Sequence, residues 1–500
     1  MSARRLYLAV AAGAIVVYLG ALWNRFAMDD LYIIAFNPLV RRASGLWQAF
    51  GAPYWPPSYG GKMYRPLVVA SFGFDRLTGS VAWFHAVNLA WHAAASVTVA
   101  ALARRWAPWQ GALAAGLVFA VHPVHVEAVA NVIGRAELMA AVFACLAVYA
   151  ALEWDSVAWS AAALALGLLA KENAVVAPLL VAWAWTLGLR RPPGGRRRMA
   201  VYAASWVALA VVYGAVRWLV LHPYARSNVI APVFFGATWL QQRYTAVAAL
   251  SEVVRLLVFP ATLRADYSPN EYTLVASPLD PRFLLGVAAL ALWAALLWRA
   301  WRRGRALEAF GLGWIAIAFL PVANLLFPTG ILLAERTLYL PSVGLALALA
   351  AWFPGRSRAQ WLALAAIVVA GGIRTALRVP VWHDDRSLTL SIVTDSPDSY
   401  RGPARTGGLL QSAGLAAKAL AAYQVAVRIY DRDPTTFVGA ADAAFTLRSP
   451  ALADSLLTRA EQLCFRCTGY LYTQAAAARS RGDTAVADSL LAHARAWEAP

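Results

Sequence analysis

The chain contains RRLYLAVAAGAIVVYLGALWNRFAMDDLY at residues 4–32, where two arginines precede a long apolar run and two aspartates follow it. A helix that crosses a membrane needs about 20 predominantly apolar residues, and this run is nearly that long. Arg and Lys beside a span stay on the cytoplasmic side, and the end of the run lacks the small residues of a signal-peptide cleavage site. The stretch predicts a retained first helix with a cytoplasmic N-terminus, which leaves Asp29 and Asp30 at its outer end.

The composition extends this pattern to most of the chain. Hydrophobic residues make up 61% of the sequence and charged residues only 14%, whereas soluble domains carry about 25% charged residues. The sequence therefore predicts an all-α, polytopic membrane helix bundle. Eleven segments qualify approximately as spans: 6–23, 83–103, 110–122 (continuing past His122), 136–152, 157–170, 173–189, 199–221, 282–298, 306–326, 335–353 and 359–378.

The formal net charge of +18 comes from short basic clusters between the apolar runs. Such clusters are typical of cytoplasmic loops, so nucleic-acid binding is not expected. With eleven crossings all of them lie inside and the chain after residue 379 lies outside. The clusters are Arg4-Arg5, Arg104-Arg105, 190–198, 298–305 and 355–358.

The segment 244–260 is apolar but carries Glu252 and Arg255 on one helical face. If it crossed the membrane, the basic cluster at 298–305 would lie outside, so we predict a re-entrant or surface-lying helix. The compact loops and the Ala- and Arg-rich composition favour a bacterial inner (cytoplasmic) membrane.

Beyond about residue 382 the sequence becomes charged and Ala-rich, and it contains an internal repeat. ALADSLLTRA at 451–460 and AVADSLLAHA at 485–494 are 34 residues apart, and AKALAAYQVA at 417–426 lies another 34 upstream. This period is typical of tetratricopeptide helix pairs, which stack on their neighbours; the alternative is an ordinary helical tail. We predict a membrane domain at 1–380 and an extracytoplasmic, tetratricopeptide-like repeat domain at 381–500.

Polar residues near the predicted outer face are candidates for a functional site. Asp29 or Asp30 alternatively caps a helix. Ionisable groups at membrane depth are costly unless they face a bundle interior or a wet cavity, although interhelical hydrogen bonds are the alternative reading. Two helical stripes have this character, His85, Asn88 and His92, and Glu127, Asn131 and Arg135, with Glu137 close to the second.

Cations on the outer face depart from the positive-inside bias, which favours an anion-binding role for them. They occur as Lys171 beside Glu172, as Arg336 beside Glu335, and as Arg65 in the first outer loop. His122 and His125 stand close together, but no fixed third ligand accompanies them, so no metal site is predicted. Cys464 and Cys467 have CxxC spacing without the second pair that a zinc site requires.

Several motifs resemble the transmembrane and tetratricopeptide-repeat family of protein O-mannosyltransferases, in order along the whole chain. The repeat tail also fits, although it is shorter than in many members. The motifs are MDD at 28–30, YRPL at 64–67, FHAVNLAWH at 84–92, HPVHVEAVANVIGRAE at 122–137, AKEN at 170–173 and PVANLLFPTGILLAERTLYLPSVG at 321–344.

The resemblance implies the C-type glycosyltransferase fold, with an acidic residue in the first extracytoplasmic loop that here falls on Asp29 or Asp30. It also implies an inverting transfer of a sugar, mannose in the better-known members, from a polyprenyl-phosphate carrier in the membrane to Ser or Thr of an exported protein. The repeat domain is the expected contact for the protein acceptor. A carboxylate serves as base, and Arg65, Arg135, Lys171 and Arg336 are the expected phosphate-binding cations. The other candidates line the substrate pocket: His85, Asn88, His92, His122, His125, Glu127, Asn131, Glu137, Glu172 and Glu335.

Other functions stay open at this level. The acceptor is alternatively a lipid or a cell-surface glycan, and a divalent cation is an open cofactor. A membrane scaffold whose repeats recruit a partner is a different class. A transporter would more readily show inverted repeats with broken helices in both halves, and the sequence has no such symmetry.

Overall fold

The helices of the chain form where the apolar runs lie, and no β-strand occurs in the residues that the structure describes. The structure is a computed structural model that describes residues 1–42, 44–57, 63–224, 230–463, 468–480 and 482–498; Cys464 and Cys467 lie outside them. In these ranges the α-helices are α1 (Ala3–Val16), α2 (Pro38–Arg41), α3 (Gly45–Gln48), α4 (Pro66–Asp75), α5 (Val81–Ala103), α6 (Trp109–Ala120), α7 (Val126–Ala130), α8 (Arg135–Leu152), α9 (Val157–Ala170), α10 (Ala177–Thr186), α11 (Gly195–Leu221), α12 (Trp239–Val258), α13 (Pro281–Arg302), α14 (Ala306–Phe319), α15 (Tyr339–Trp352), α16 (Arg358–Arg378), α17 (Asp385–Asp395), α18 (Arg401–Ser412), α19 (Ala416–Ile429), α20 (Pro434–Thr446), α21 (Pro450–Leu463), α22 (Thr468–Ser480) and α23 (Thr484–Glu498).

Small residues let the central helices pack closely. Helices α14 and α15 cross where Gly311 meets Gly344, and a Cβ atom at either glycine would overlap with the carbonyl oxygen of the other. Close backbone approach of this kind is the usual way in which membrane helices associate, because lipid gives them no hydrophobic drive to do so. The resulting core is rich in buried alanine and includes α1, α5, α6, α8, α9, α10, α14 and α15.

Five helices in the described part of the chain are long and apolar enough to cross a membrane, and a sixth is added if one bent pair counts as a single span. The predicted count of eleven is not confirmed, because several predicted spans form short or broken helices. The segment expected to continue past His122 ends as a helix at Ala120, and the chain bends by 47° before it resumes. The five are Val81–Ala103, Val132–Leu152, Gly195–Leu221, Pro281–Arg302 and Arg358–Trp382.

The periphery of the bundle is apolar. Helices α11, α13 and α16 leave most of their apolar side chains exposed, as expected for surfaces that face lipid. Helix α12 packs against α13 and carries the Glu252–Arg255 ion pair at 2.5 Å. It is not among the five long apolar helices, and whether it crosses the membrane stays a prediction.

Six helices, α18–α23, form the end of the described chain. Helices α19, α21 and α23 begin at Ala416, Pro450 and Thr484, 34 residues apart, and they carry the three sequence copies. Neighbours pack through alanine-rich contacts, with Ala441, Ala444 and Ala453 among the buried residues. The geometry agrees with paired helices of constant period; the tetratricopeptide type and the 380/381 boundary stay predictions.

The first part of this C-terminal region is tied to loops of the bundle. Met28 N–H donates to Asp385 Oδ1 at 2.8 Å, and Arg25 N–H donates to the His383 carbonyl at 2.7 Å. Tyr400 N–H donates to the Pro269 carbonyl at 2.8 Å. These contacts place residues 383–401 against the loops after α1 and α12, where the candidate site lies.

Candidate functional site

A small pocket opens among α7 and the loops that follow α1, α7, α11, α12 and α14. Its volume is about 110 Å³, and we call it the loop pocket. Four of its polar residues are candidates from the sequence, namely Asp29, Glu127, Asn131 and Arg336. The pocket also contains residues that sequence reasoning missed, namely Asp266, Tyr267, Ser268 and Arg401.

The two adjacent aspartates have different surroundings. Asp30 is 1% exposed and accepts backbone N–H groups from Ile133 at 2.9 Å and Ala27 at 3.2 Å. Burial raises the pKa of Asp30 to about 7, although those two hydrogen bonds act against the rise. Asp30 therefore joins the first loop to the turn before α8 and lies outside the pocket lining, and it makes no capping bond to the short helix Leu31–Ala35.

Asp29 lines the loop pocket. Burial raises its pKa above the ordinary value, and the charges of Arg336, Arg401 and Arg405 oppose this rise while Glu127 adds to it. The chain reaches this position through Met28, which has a positive φ of 51° and is held by Asp385. A carboxylate with a raised pKa, beside cations, is suited to accept a proton.

Arg336 also lines the loop pocket, and its charge acts on Asp29. Its guanidinium pairs with Glu127, and its backbone N–H donates to Glu127 Oε2 at 2.8 Å. The Glu127 side chain is only 3% exposed, whereas that of Arg336 is 34% exposed, so part of the Arg336 side chain is free of contact with the protein. Its neighbour Glu335 points elsewhere and accepts from Tyr267 Oη at 3.0 Å.

A second group of charges lies beside the pocket. Lys171 pairs with Glu137, and Glu172 accepts from Arg65 at 3.2 Å and from Arg217 at 2.9 Å. Burial alone would raise the pKa of Glu172, but the two arginines lower it to about 2. Lys171 is close enough to Arg336 and Arg65 to interact with their charges, so the two groups form one electrostatic network although neither Lys171 nor Arg65 lines the pocket.

Arg135 lies away from the pocket. It is fully buried and pairs with Asp75 at 2.5 Å. It also donates to Asn88 Oδ1 at 2.8 Å and to the Phe84 carbonyl at 2.9 Å. Arg135 and Asn88 therefore make hydrogen bonds between helices, which was the alternative interpretation of the two polar stripes. Neither residue lines the loop pocket.

The four candidate histidines are also buried inside the bundle. His92 contacts Tyr339 Oη at 2.8 Å and the Ala120 carbonyl at 2.9 Å, and His125 contacts Ser342 Oγ at 2.7 Å. His122 contacts the Leu257 carbonyl at 2.9 Å, and His85 is fully buried on α5. Across the described residues, no group of three or more His, Cys, Asp or Glu side chains has the arrangement of a metal site.

Comparison with known proteins places the chain beside one group of enzymes. Protein O-mannosyl-transferase TMTC3 of Mus musculus is 27% identical over 421 residues, which cover 75% of this chain and 45% of the relative. The chain is similar to protein O-mannosyl-transferases. The Drosophila melanogaster Tmtc3 is 26% identical over 542 residues, with 91% of this chain and 58% of the relative covered. A Caenorhabditis elegans protein O-mannosyl-transferase, F38B6.6, is 28% identical over 444 residues, with coverages of 83% and 61%.

The chain spans about half the length of the curated relatives it matches. These relatives are animal proteins, so the bacterial source stays a prediction. No family model matches the chain, and no solved structure matches it.

Proposed function

We propose that the protein is a member of the protein O-mannosyltransferase family. In this proposal it transfers a sugar, with mannose the expected one, from a polyprenyl-phosphate carrier to Ser or Thr of an exported protein. The observation that carries the proposal is the loop pocket, in which Asp29 and the partly open Arg336 line one cavity at the end of an apolar bundle. The names of the similar proteins support the reaction class.

Asp29 is the proposed base. Its carboxylate takes the proton of the acceptor hydroxyl, the hydroxyl oxygen attacks the anomeric carbon, and the bond from that carbon to the phosphate oxygen breaks. The electron pair of this bond leaves with the polyprenyl phosphate, and attack opposite to the leaving group inverts the anomeric centre. General-base assistance of this kind contributes about 10²- to 10⁴-fold to a rate.

Arg336 is the proposed partner of the leaving phosphate. Charge develops on the phosphate as the bond breaks, and a fixed cation at that place stabilises the transition state. Glu127 fixes the Arg336 backbone and guanidinium from one side. Lys171 and Arg65 are paired with carboxylates next to the pocket and raise the positive potential around it, so their effect is smaller.

Asn131 is suited to bind a sugar hydroxyl. It lines the loop pocket, and its buried Oδ1 has no hydrogen-bond partner. A buried acceptor without a partner costs free energy, and a donating hydroxyl of the bound sugar removes that cost. The apolar side chains of α11, α13 and α16 are exposed and are suited to face lipid. The polyprenyl chain of the donor lies in the same lipid.

The test uses purified protein in lipid nanodiscs, supplied with a panel of polyprenyl-phosphate sugars and with secreted protein domains, glycans and lipids as acceptors. Mass spectrometry is expected to find hexose on Ser or Thr of the protein, and Asp29→Asn is expected to abolish most of it. Transfer to a glycan or lipid alone would favour the alternative acceptor. Absence of transfer with every combination of donor and acceptor would favour the alternative function, a non-catalytic membrane scaffold. Because Arg336 carries the charge stabilisation here, transfer is expected to persist in EDTA.

A further inference from the structure

Arg401 enters the loop pocket from the C-terminal helices. It is the first residue of α18, yet it lines the same cavity as Asp29 and Arg336. Its side chain is 37% exposed, and its charge acts on Asp29 in the same direction as that of Arg336. The pocket therefore has two partly open guanidinium groups, one from the membrane bundle and one from the segment that begins the helical tail.

Hydrogen bonds fix the segment that carries Arg401. Ser399 Oγ donates to Asp266 Oδ2 at 2.5 Å, and Ser396 Oγ donates to the Asp266 carbonyl at 2.7 Å. Tyr400 N–H donates to the Pro269 carbonyl at 2.8 Å. Residues 396–400 are thus attached to the loop after α12 at three points, so the position of Arg401 depends on this attachment.

The guanidinium of Arg401 keeps donors for a ligand. Its Nε lies 3.6 Å from Asp266 Oδ1, which is longer than a hydrogen bond. Both carboxylate oxygens of Asp266 already accept from Ser268, and one also accepts from Ser399. Five N–H groups on a guanidinium exceed what Asp266 and the adjacent Tyr400 can accept. Arg405, one helical turn further on, is different, because it pairs with Asp385 at 2.8 Å.

We propose that Arg401 is the second cation for the donor phosphate, and that the pocket is complete only while the C-terminal helices are attached to the loop after α12. This inference rests on the proposed function. A phosphodiester donor carries one negative charge and gains a second as the sugar leaves, so guanidinium groups from two elements stabilise the departing group better than one.

The arrangement makes the donor site responsive to the helical tail. The end of α19 is attached to the bundle loops at the same end of the helix pair, beside the Tyr400 ring: Tyr430 Oη donates to the Pro232 carbonyl at 2.8 Å, and Asn270 Nδ2 donates to the Ile429 carbonyl at 2.9 Å. A protein acceptor that binds the tail and shifts this helix pair moves Arg401 relative to Arg336. Occupancy of the tail is thereby coupled to the strength of donor binding.

The test compares Arg401→Gln with Arg401→Lys and with the matched control Arg459→Gln in the full-length protein. Arg459 is a good match because it lies on α21, far from the pocket lining, is 43% exposed and has its carboxylate partner Asp431 at 3.7 Å. The probes are farnesyl phosphate and neutral farnesol, titrated into protein in nanodiscs. Kinetic constants for transfer and the thermal midpoint are measured alongside, and Arg401→Met replaces the Gln variant if the latter unfolds.

Arg401→Gln is expected to weaken farnesyl phosphate binding by about 10- to 100-fold, the scale of a charge-assisted hydrogen bond, and to leave farnesol binding unchanged. Arg401→Lys retains most of the affinity, and Arg459→Gln retains all of it. Unchanged farnesyl phosphate affinity in a folded Arg401→Gln protein that still transfers sugar would overturn this inference and leave the proposed function standing. Phosphate binding that depends on Arg401 without transfer to any acceptor would overturn the proposed function alone. Failure of the unaltered protein to bind the probe would overturn both.

Discussion

Asp29 and Asp30 show how much two neighbouring residues of one type differ when one side chain reaches a pocket and the other does not. Each carboxylate oxygen of Asp30 accepts a hydrogen bond from a backbone N–H group, whereas Asp29 lines the cavity with Arg336. Adjacent side chains diverge, so both cannot readily reach one hydroxyl, but the sequence alone does not fix which of the two faces the site. That choice depends on Ile133, a residue more than one hundred positions away.

Exchange of Asp29 for asparagine is expected to affect the transfer rate, and exchange of Asp30 is expected to affect stability. Asp29→Asn should lower the transfer rate by about 10²-fold or more with an unchanged thermal midpoint. Asp30→Asn presents an NH₂ group to one of two backbone donors, so it should lower stability by roughly 1–3 kcal/mol while the folded fraction keeps its rate. Rates and thermal unfolding of both variants and of the double variant check this, and full transfer by all three would remove the catalytic role.

The pH dependence of kcat/KM on the acid side is expected to report the ionisation of Asp29. In the proposed mechanism transfer requires ionised Asp29, and burial raises the pKa of this carboxyl, so activity should fall on acidification at a higher pH than the ordinary aspartate value of about 3.9 predicts. Asp30 does not cause that fall. Its pKa of about 7 in the folded state lies above the unfolded value, so its contribution to stability is fully present at low pH and is lost as the pH rises towards 7. A rate that stays constant down to pH 4 would contradict the assignment of Asp29.

At the scale of elements, Arg135 of α8 ties three helices together. Its charge is fully buried against Asp75 of α4 and Asn88 of α5. Removal of one partner of a buried pair leaves the other charge uncompensated and costs about 3–5 kcal/mol. Arg135→Gln is therefore expected to lower the thermal midpoint and the yield strongly.

Arg217→Gln is the matched control for this change, since Arg217 pairs with Glu172 but is 37% exposed, and such pairs contribute about 1 kcal/mol or less. Thermal unfolding and farnesyl phosphate binding are compared in the two variants. A folded Arg135→Gln protein that no longer binds the probe would support the phosphate-binding role predicted for Arg135.

Sequence periodicity predicted some elements well and others poorly, for physical reasons. The helices α19, α21 and α23 coincide with the three sequence copies, because a repeat can be recognised from the local sequence alone. The predicted number of eleven spans is not confirmed, since apolar content does not reveal where an apolar run breaks into shorter helices, as it does at Pro123 after α6. Arg336 and Glu127 meet across 209 residues and were both found because outer-face charges are rare. Arg401 and Asp266 carry no such signal, since polar residues are ordinary in a hydrophilic segment.

On the scale of the whole molecule, three of the five basic clusters, at 104–105, 190–198 and 298–305, lie at one end. Arg105 and Arg190 both approach Glu153, Arg198 pairs with Asp155, and a cavity at this end brings Trp106 next to Arg305. Because such clusters remain in the cytoplasm, we predict that this end faces inward and that the loop pocket and the helical tail face outward.

A reporter fused after residue 500 tests the orientation. An enzyme that is active only outside the cytoplasm should be active there, and a cytoplasmic reporter at the same position should be silent. The reverse result would place Asp29 and Arg336 on the cytoplasmic side and would exclude an extracytoplasmic acceptor.

The hydrogen bond from Met28 to Asp385 joins residues that are 357 positions apart, and this separation has a consequence for biosynthesis. At a translation rate of about 5–20 residues per second, the first loop waits roughly 20 to 70 seconds for its partner to be made. During that interval the early helices are already inserted, but the peptide that positions Asp29 is not yet held and Arg401 does not yet exist. With the proposed function, a nascent chain is therefore expected to be inert towards the sugar donor, and transfer is expected to begin only after the ribosome has passed the segment that closes the pocket.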